Sequence, residues 1–344
     1  FVLIAVLVST ALGIYFMQQK YSQPGTDPLP DDLDRFSSTD LHLDSKLHHD
    51  ELTVTQPNKS AAVSEKLTTA APEIKELEQI LLRKLSVTFS KSPEVRLREL
   101  LRTRDSKSIQ TYMPVMRASA QSIKPHKYIF ATSLSSNHFN ELQGLVYNFK
   151  QYAFKQVSNY TLVIYDLGLT AAQKKLTLIE KCEILVYHDT SVRWNNSTKG
   201  PEVVFKLARE RGMQLRYDPS GSIATRTVVS TFTYFGDQAC QFEPHGEVQG
   251  GLGVYHNEKF VRDVVLDTWV SCAFNTSCMC VPNAGRLLYC NHKLPRKTSV
   301  CHRFDQSALG IIISTLYRER TALVVGLDKS ITVQRGQTMN WFKP

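Results

Sequence analysis

Three short stretches constrain this chain more than anything else in it. "KYIFATSLS" from Lys127, "YTLVIYDLGLT" from Tyr160 and "EILVYHDTSVRW" from Glu183 each hold four consecutive apolar or aromatic residues and then break into polar ones. Runs of that kind mark strands buried on both faces, the habit of parallel sheets covered by helices. Between the first two, Phe139, Leu142, Val146 and Phe149 recur at helical spacing, with Ser136 or Asn137 placed to cap. A Lys-rich connection leads to the third. Strand, helix, strand, helix, strand with continuous apolar cores imply right-handed crossovers and an open α/β sheet, mostly parallel. Such sheets bind ligands beyond the carboxyl ends of their strands. Here those ends are Thr132 and Ser133 onward, Asp166, and His188 to Arg193.

The flanking sequence is less regular. "RTVVSTFTYF" reads as a strand, and "VQGGLGVYHN" as another, where Gly250 and Gly251 permit a tight bend or close approach of a ligand. "DQSALGIIISTLYRER" reads as a helix with Leu309, Ile312, Ile313 and Leu316 inward, and "TALVVGL" as a last short strand. Upstream, Ile74, Leu77, Leu81 and Leu85 share one helical face, and Val95 to Leu101 follow Pro93. These pieces fit a stem coiled coil or the start of the folded part. Residues 18 to about 70 are rich in Ser, Thr, Asp, Pro and Lys without an apolar period, as in a flexible stem. "FVLIAVLVSTALGIYFM" is uncharged and sits at the short edge of what spans a bilayer. A cleaved signal peptide is the competing reading, but no small-x-small site follows. The expected organisation is a transmembrane signal anchor at 1–17, a stem at 18–120 and a luminal domain at 121–344.

Export agrees with two further features. N-x-[ST] sequons stand at Asn58, Asn159, Asn195, Asn196 and Asn275, the adjacent pair accepting one glycan at most, placed here on Asn196. There are seven cysteines, and Cys272, Cys278, Cys280, Cys290 and Cys301 cluster, with Cys182 and Cys240 upstream. The spacings match no zinc finger or ribbon, and an exported chain favours disulfides among Cys240 and the cluster. The odd thiol is expected at Cys182. The net charge of +9 suits an anionic ligand or a membrane surface. With no dense Lys/Arg block and no finger spacing, nucleic acid is not an expected partner.

No G-x-G-x-x-G fingerprint, P-loop, nucleophile elbow or H-E-x-x-H is present. Strand-end carboxylates are left, together with a metal. Asp189 and Ser191 form an Asp-x-Ser on one side of an extended segment. A carboxylate there can hold Mg²⁺ or Mn²⁺ against a diphosphate, and Arg193 can add charge to the same phosphates. Equally, Asp189 can cap a turn and Arg193 can be a surface residue. Asp305 is placed either to cap its helix or to face the crevice beside His302 and Arg303. Asp166 can bond a ribose or start the "DLGL" turn.

The ordered set "YIFATSLSSNHFNELQGLVYNF", "YTLVIYDLGLT", "CEILVYHDTSVRW", "QGGLGVYHN", "WVSCAFNTSC" and "CHRFDQSALGIII" resembles an invertebrate-rich family of exported membrane proteins known mainly as a domain of unknown function. Its layout in turn resembles glycosyltransferases of the GT-A type, commonly type II Golgi proteins with a short anchor, a stem and a luminal catalytic domain. The resemblance spans about Pro125 to Leu327. It implies a GT-A-like, Rossmann-like α/β domain. "HDTS" falls where such enzymes carry Asp-x-Asp, which implies that Asp189 binds the metal and donor diphosphate. Asp166 falls where the second strand meets the nucleotide. "FDQSA" resembles a segment that approaches the sugar, which implies catalytic or acceptor-binding roles for Asp305 and Gln306. Ser191 departs from the second Asp, which weakens the metal site, and His292 and His302 are only candidates for a further ligand.

The function so implied is transfer of a sugar from a nucleotide-sugar donor to a glycan or glycoprotein. The donor is placed against Thr132, Ser133, Asp166, Asp189, Ser191 and Arg193, and the sugar or acceptor against Gly250 and Gly251. The location implied is the Golgi or ER membrane, single-pass type II, with a luminal C-terminus. Two other readings fit the residues: a non-catalytic luminal binding or scaffold module of degenerate GT-A fold, and a secreted disulfide-bonded adhesion protein.

Overall fold

The structure is a computed structural model. It describes residues 71–85, 92–104, 124–134, 136–166, 180–181, 183–195, 200–279, 300–326 and 331–336, with Gln110, Val281, Cys290, Thr298 and Met339. The expected anchor, most of the expected stem, Asn58, Asn196, Cys182, Cys280 and His292 lie outside the described residues. Among the described residues no helix is long and apolar enough to cross a membrane.

The three opening stretches form strands β1 (Tyr128–Leu134), β2 (Tyr160–Asp166) and β3 (Ile184–His188). β1 pairs with both others in parallel, as the continuous apolar runs predict. A short strand β4 (Val192–Trp194) follows, then β5 (Met213–Ser222), β6 (Gly246–His256), β7 (Val325–Gly326) and β8 (Ile331–Val333). The main sheet runs β2-β1-β3-β6-β5-β7. β6 is antiparallel to both of its neighbours and β7 is parallel to β5. β8 lies antiparallel on β4 as a separate pair.

Side-chain alternation splits the core into two layers. Tyr128, Phe130, Ile184, Val186 and Val254 face one side, covered by helices α3 (Phe139–Asn148) and α4 (Gly200–Arg211). Ile129, Ala131, Leu185, Tyr187 and Tyr255 face the other. That side is covered by α1 (Ala71–Leu85), α2 (Pro93–Thr103), α5 (Val229–Phe235), α6 (Asp267–Ala273) and α7 (Asp305–Tyr317). The protein is thus α/β, with a mostly parallel mixed sheet between helical layers.

Helices α1 and α2 fall within the segment expected as stem. Their Leu77, Leu81 and Leu97 are essentially fully buried in the same core as α7, so they are part of the folded unit. Helix α7 is buried almost all round, which explains why its sequence is apolar on every face. One expectation is corrected: "RTVVSTFTYF" carries helix α5, not a strand. Its Thr231, Phe232 and Phe235 are buried, and Gly236 ends it at φ 74, the left-handed conformation that glycine adopts freely. Tertiary burial here overrides β-branched propensity.

Two disulfides, Cys272–Cys278 and Cys290–Cys301, staple the segment before α7. The expectation for Cys240 is corrected: it is a free, exposed thiol, in a 3₁₀ turn at Ala239–Phe242. Asn159 is exposed and Asn275 half-buried.

Candidate functional site

The parallel strands end on one edge of the sheet. β3 stops at His188, and the loop Asp189–Ser191 turns back at once, with Val192 N–H donating to the Asp189 carbonyl at 3.0 Å. Ser133 and Asp189 stand two residues beyond the last paired position of β1 and β3. Because β6 is antiparallel, its first half projects past this edge. Asp189 N–H donates to the Gly251 carbonyl at 2.8 Å. Against β5, the register jumps from Leu215↔Gly253 to Tyr217↔Val248, so Gln249 to Leu252 bulge opposite Arg216 alone.

That bulge lies between two carboxylates. A Cβ on Gly251 would overlap Asp189 Oδ2, and one on Gly250 would meet Asp305 Oδ2 at 3.0 Å. No other residue type fits position 251 without displacing the acid. Asp305 is the first residue of α7, not its cap: the cap position is Phe304, and no side chain bonds there. Phe304 has φ 46 and ψ −108, a conformation costing a non-glycine residue about 1–3 kcal/mol. The strained residue sets Asp305 at the helix N-terminus, where negative charge is favoured and its carboxylate accepts from the Gln306 and Asp305 backbone N–H groups. Trp269 Nε1–H anchors the Asp305 carbonyl at 2.9 Å.

Both acids are partly accessible yet surrounded by dense protein. Burial, joined by repulsion from Asp189, pushes the Asp305 carboxyl up to about 6. Burial also raises Asp189, opposed first by the positive charge of Arg335 and then by the Tyr187 hydroxyl at 3.5 Å from Oδ1. Arg335, exposed, follows β8 on a segment pinned over the loop: Gln334 N–H donates to the Ser191 carbonyl at 2.7 Å, and Gly336 N–H to Glu141 Oε1 at 3.0 Å. Glu141 Oε2 accepts from the Thr190 hydroxyl at 2.9 Å.

The structure therefore gathers Asp189, Gly250, Gly251, Asp305 and Gln306. Gln306 is not aimed outward. Its Oε1 accepts from Gly250 N–H at 3.2 Å and its Nε2 donates to Glu247 at 3.1 Å. Arg193 is buried, donating from Nη1 to the carbonyls of Thr190 and Val192. It holds the loop from within. Ser191 and Thr132 are buried, Ser133 half-buried. Asp166 closes β2 opposite Leu134. His302 is buried beside the disulfides, its Nε2 bonded to the Met279 carbonyl at 3.2 Å, and desolvation lowers it to about 4. Among the described residues no group of three or more His, Cys, Asp or Glu side chains could hold a metal. Glu247 and Arg335 escaped the sequence reading. Neither lies in a motif, and only the strand pairings carry them to the site.

Comparison with family models, curated proteins and solved structures finds no match to this chain.

Proposed function

We propose that this protein is a glycosyltransferase-like luminal protein whose crevice at the strand ends takes a nucleotide-sugar donor and a glycan or glycoprotein acceptor. One observation carries the reading: Asp189 and Asp305, far apart in sequence, flank the same Gly-Gly bulge at the sheet edge where open α/β sheets take ligands. The bulge leaves backbone, not side chains, between the acids. Arg335, beside Asp189, is the cation placed for a donor phosphate, in place of the inward-turned Arg193. Asp305, near 6, suits a group that accepts a proton from an acceptor hydroxyl near neutral pH.

Asp189 fits a Mg²⁺ or Mn²⁺ ion of the kind bound by one or two acids plus substrate phosphates. It would hold the ion together with the donor phosphates, and the ion would neutralise charge on the departing diphosphate. His302 does not enter that set, since its Nε2 serves Met279. The two disulfides support a luminal, exported location, and the reading keeps the protein in the Golgi or ER membrane.

Thermal unfolding of the full chain with a panel of nucleoside diphosphates and nucleotide sugars, with and without Mn²⁺, tests this. A donor raises the midpoint according to its affinity, and the rise is expected to vanish in Asp189→Ala. If folded protein responds to none of them, the donor site is wrong and a non-catalytic module takes its place.

A further inference from the structure

A chain of buried polar groups runs beneath the bulge. Arg226 Nη1 lies 3.3 Å from Glu247 Oε2, and Glu247 Oε1 accepts from Gln306 Nε2 at 3.1 Å. Gln306 Oε1 in turn accepts from Gly250 N–H at 3.2 Å and from Arg303 Nη2 at 2.8 Å. Arg303 Nη2 also lies 3.7 Å from Asp218 Oδ2. Glu247 is 2% exposed, and Arg226 and Gln306 are 5%.

Such a cluster is a poor way to gain stability. Burying charges costs several kcal/mol, and well-packed apolar residues often do as well or better. It is worse here, because Asp218 and Glu247 are direct cross-strand partners, and like charges so placed repel. Nor does β6 need it, since its ladder with β5 and β3 already fixes the strand. What the cluster does supply is direction. Turned over, the Gln306 amide would set its NH₂ against two donors, Gly250 N–H and Arg303, and its oxygen against the Glu247 carboxylate. While ionised, Glu247 joins Gly250 and Arg303 in forbidding that flip.

We propose that Glu247 is the positioning residue of this site. Through Gln306 it holds the Gly250 amide, and so sets the gap between Asp189 and Asp305. The inference rests on the reading that these two acids form the ligand site. Its clip, however, can be examined without any ligand.

The test is amide hydrogen exchange of the full chain, read over the peptide Val248–Gly253 and over β1 as an internal reference. Glu247→Ala is expected to speed exchange at the bulge about tenfold, the worth of one lost hydrogen bond, and to leave β1 unchanged. Glu247→Gln, which keeps an acceptor for Gln306 Nε2, should recover most of the protection. Gln306→Leu, which breaks the clip from its other end, should match Glu247→Ala. Unchanged exchange at the bulge overturns the proposal. So does faster exchange spread equally over β1, which would make Glu247 a sheet residue. Nucleoside diphosphate binding, measured on the same variants, separates the two readings. A wild type with the local exchange pattern but no nucleotide response keeps the clip and refutes the donor site. Nucleotide binding that is equally tight in wild type and in Glu247→Ala refutes the positioning role.

Discussion

Gly251 gives up its side chain to Asp189, and this makes a sharp comparison with its neighbour. A methyl at 251 overlaps Oδ2 of the acid, while one at 250 meets Asp305 Oδ2 at 3.0 Å and Gln306 Cβ at 3.3 Å. Gly251→Ala is expected to cost about 1–3 kcal/mol as the carboxylate or the bulge shifts, and to abolish any ligand-induced rise in the unfolding midpoint. Gly250→Ala should be milder on both counts. Paired scans of the two variants, with and without nucleoside diphosphate, check this. The two arginines of the loop divide in the same way. Arg193→Met strips donors from the Thr190 and Val192 carbonyls and should lower stability by about 1–3 kcal/mol. Arg335→Met, at an exposed position, should leave the midpoint within about 0.5 kcal/mol of wild type and weaken the nucleotide response. Equal effects of the two on stability would contradict this division. Sequence alone pointed to Arg193 because it is near Asp189 in the chain; nearness in space depends on β8 folding back onto β4.

Among the elements, legibility followed how local the cause was. β1, β2, β3 and α7 could be read because continuous burial writes itself into consecutive residues. The apolar face of α1 was equally visible, but its destination was not, since a helical stripe does not say what covers it. Its Leu81 is fully buried in the main core. Leu81→Ala should therefore cost about 2–5 kcal/mol by chemical denaturation, where a stem residue would cost nothing measurable. Helix α5 is hidden in the sequence because Val228, Val229 and Thr231 favour strands locally, and the partners that bury Phe232 and Phe235 come from distant segments. The β6 bulge and the polar groups under it were invisible for a related reason. They exist only in the register between β5 and β6, and a register is a property of two strands.

The molecule as a whole balances opposing proton equilibria. Burial pushes Glu247 up to about 7, with Arg303 and Arg226 opposing and Asp218 assisting. A raised carboxyl binds its proton more tightly when folded, so this group's contribution falls as pH rises from about 4.5 to 7. His302 is lowered to about 4 by desolvation, and His188, wedged edge-on against Phe149, to about 3. A histidine held neutral does the reverse, adding stability as pH climbs to about 6.5. These displacements correspond to roughly 3 kcal/mol for Glu247 and His302 and roughly 5 for His188. Asp305 and Asp267, each raised to about 6 by burial, lose stability with Glu247 against the two histidines, so the wild type should show a shallow profile between about pH 4.5 and 6.5. Glu247→Gln should tilt it towards greater stability at the upper end, and His302→Gln towards greater stability at the lower end. Denaturant midpoints across that range measure both tilts, and parallel profiles for the three proteins would contradict the assignment.

The segment after β8 reaches back across 195 residues to bond Glu141, and Asp305 must find a bulge already built from β6. A ribosome that has released β1 to β6 has delivered a sheet and one acid, but neither the second acid nor the rim that carries Arg335. Domains assemble N-terminal parts first during synthesis, so this crevice comes into being only once the segment through Gly336 has been made. A nascent chain stalled short of Gly336 would then be compact and silent, unable to seize a ligand until that segment has joined the rest.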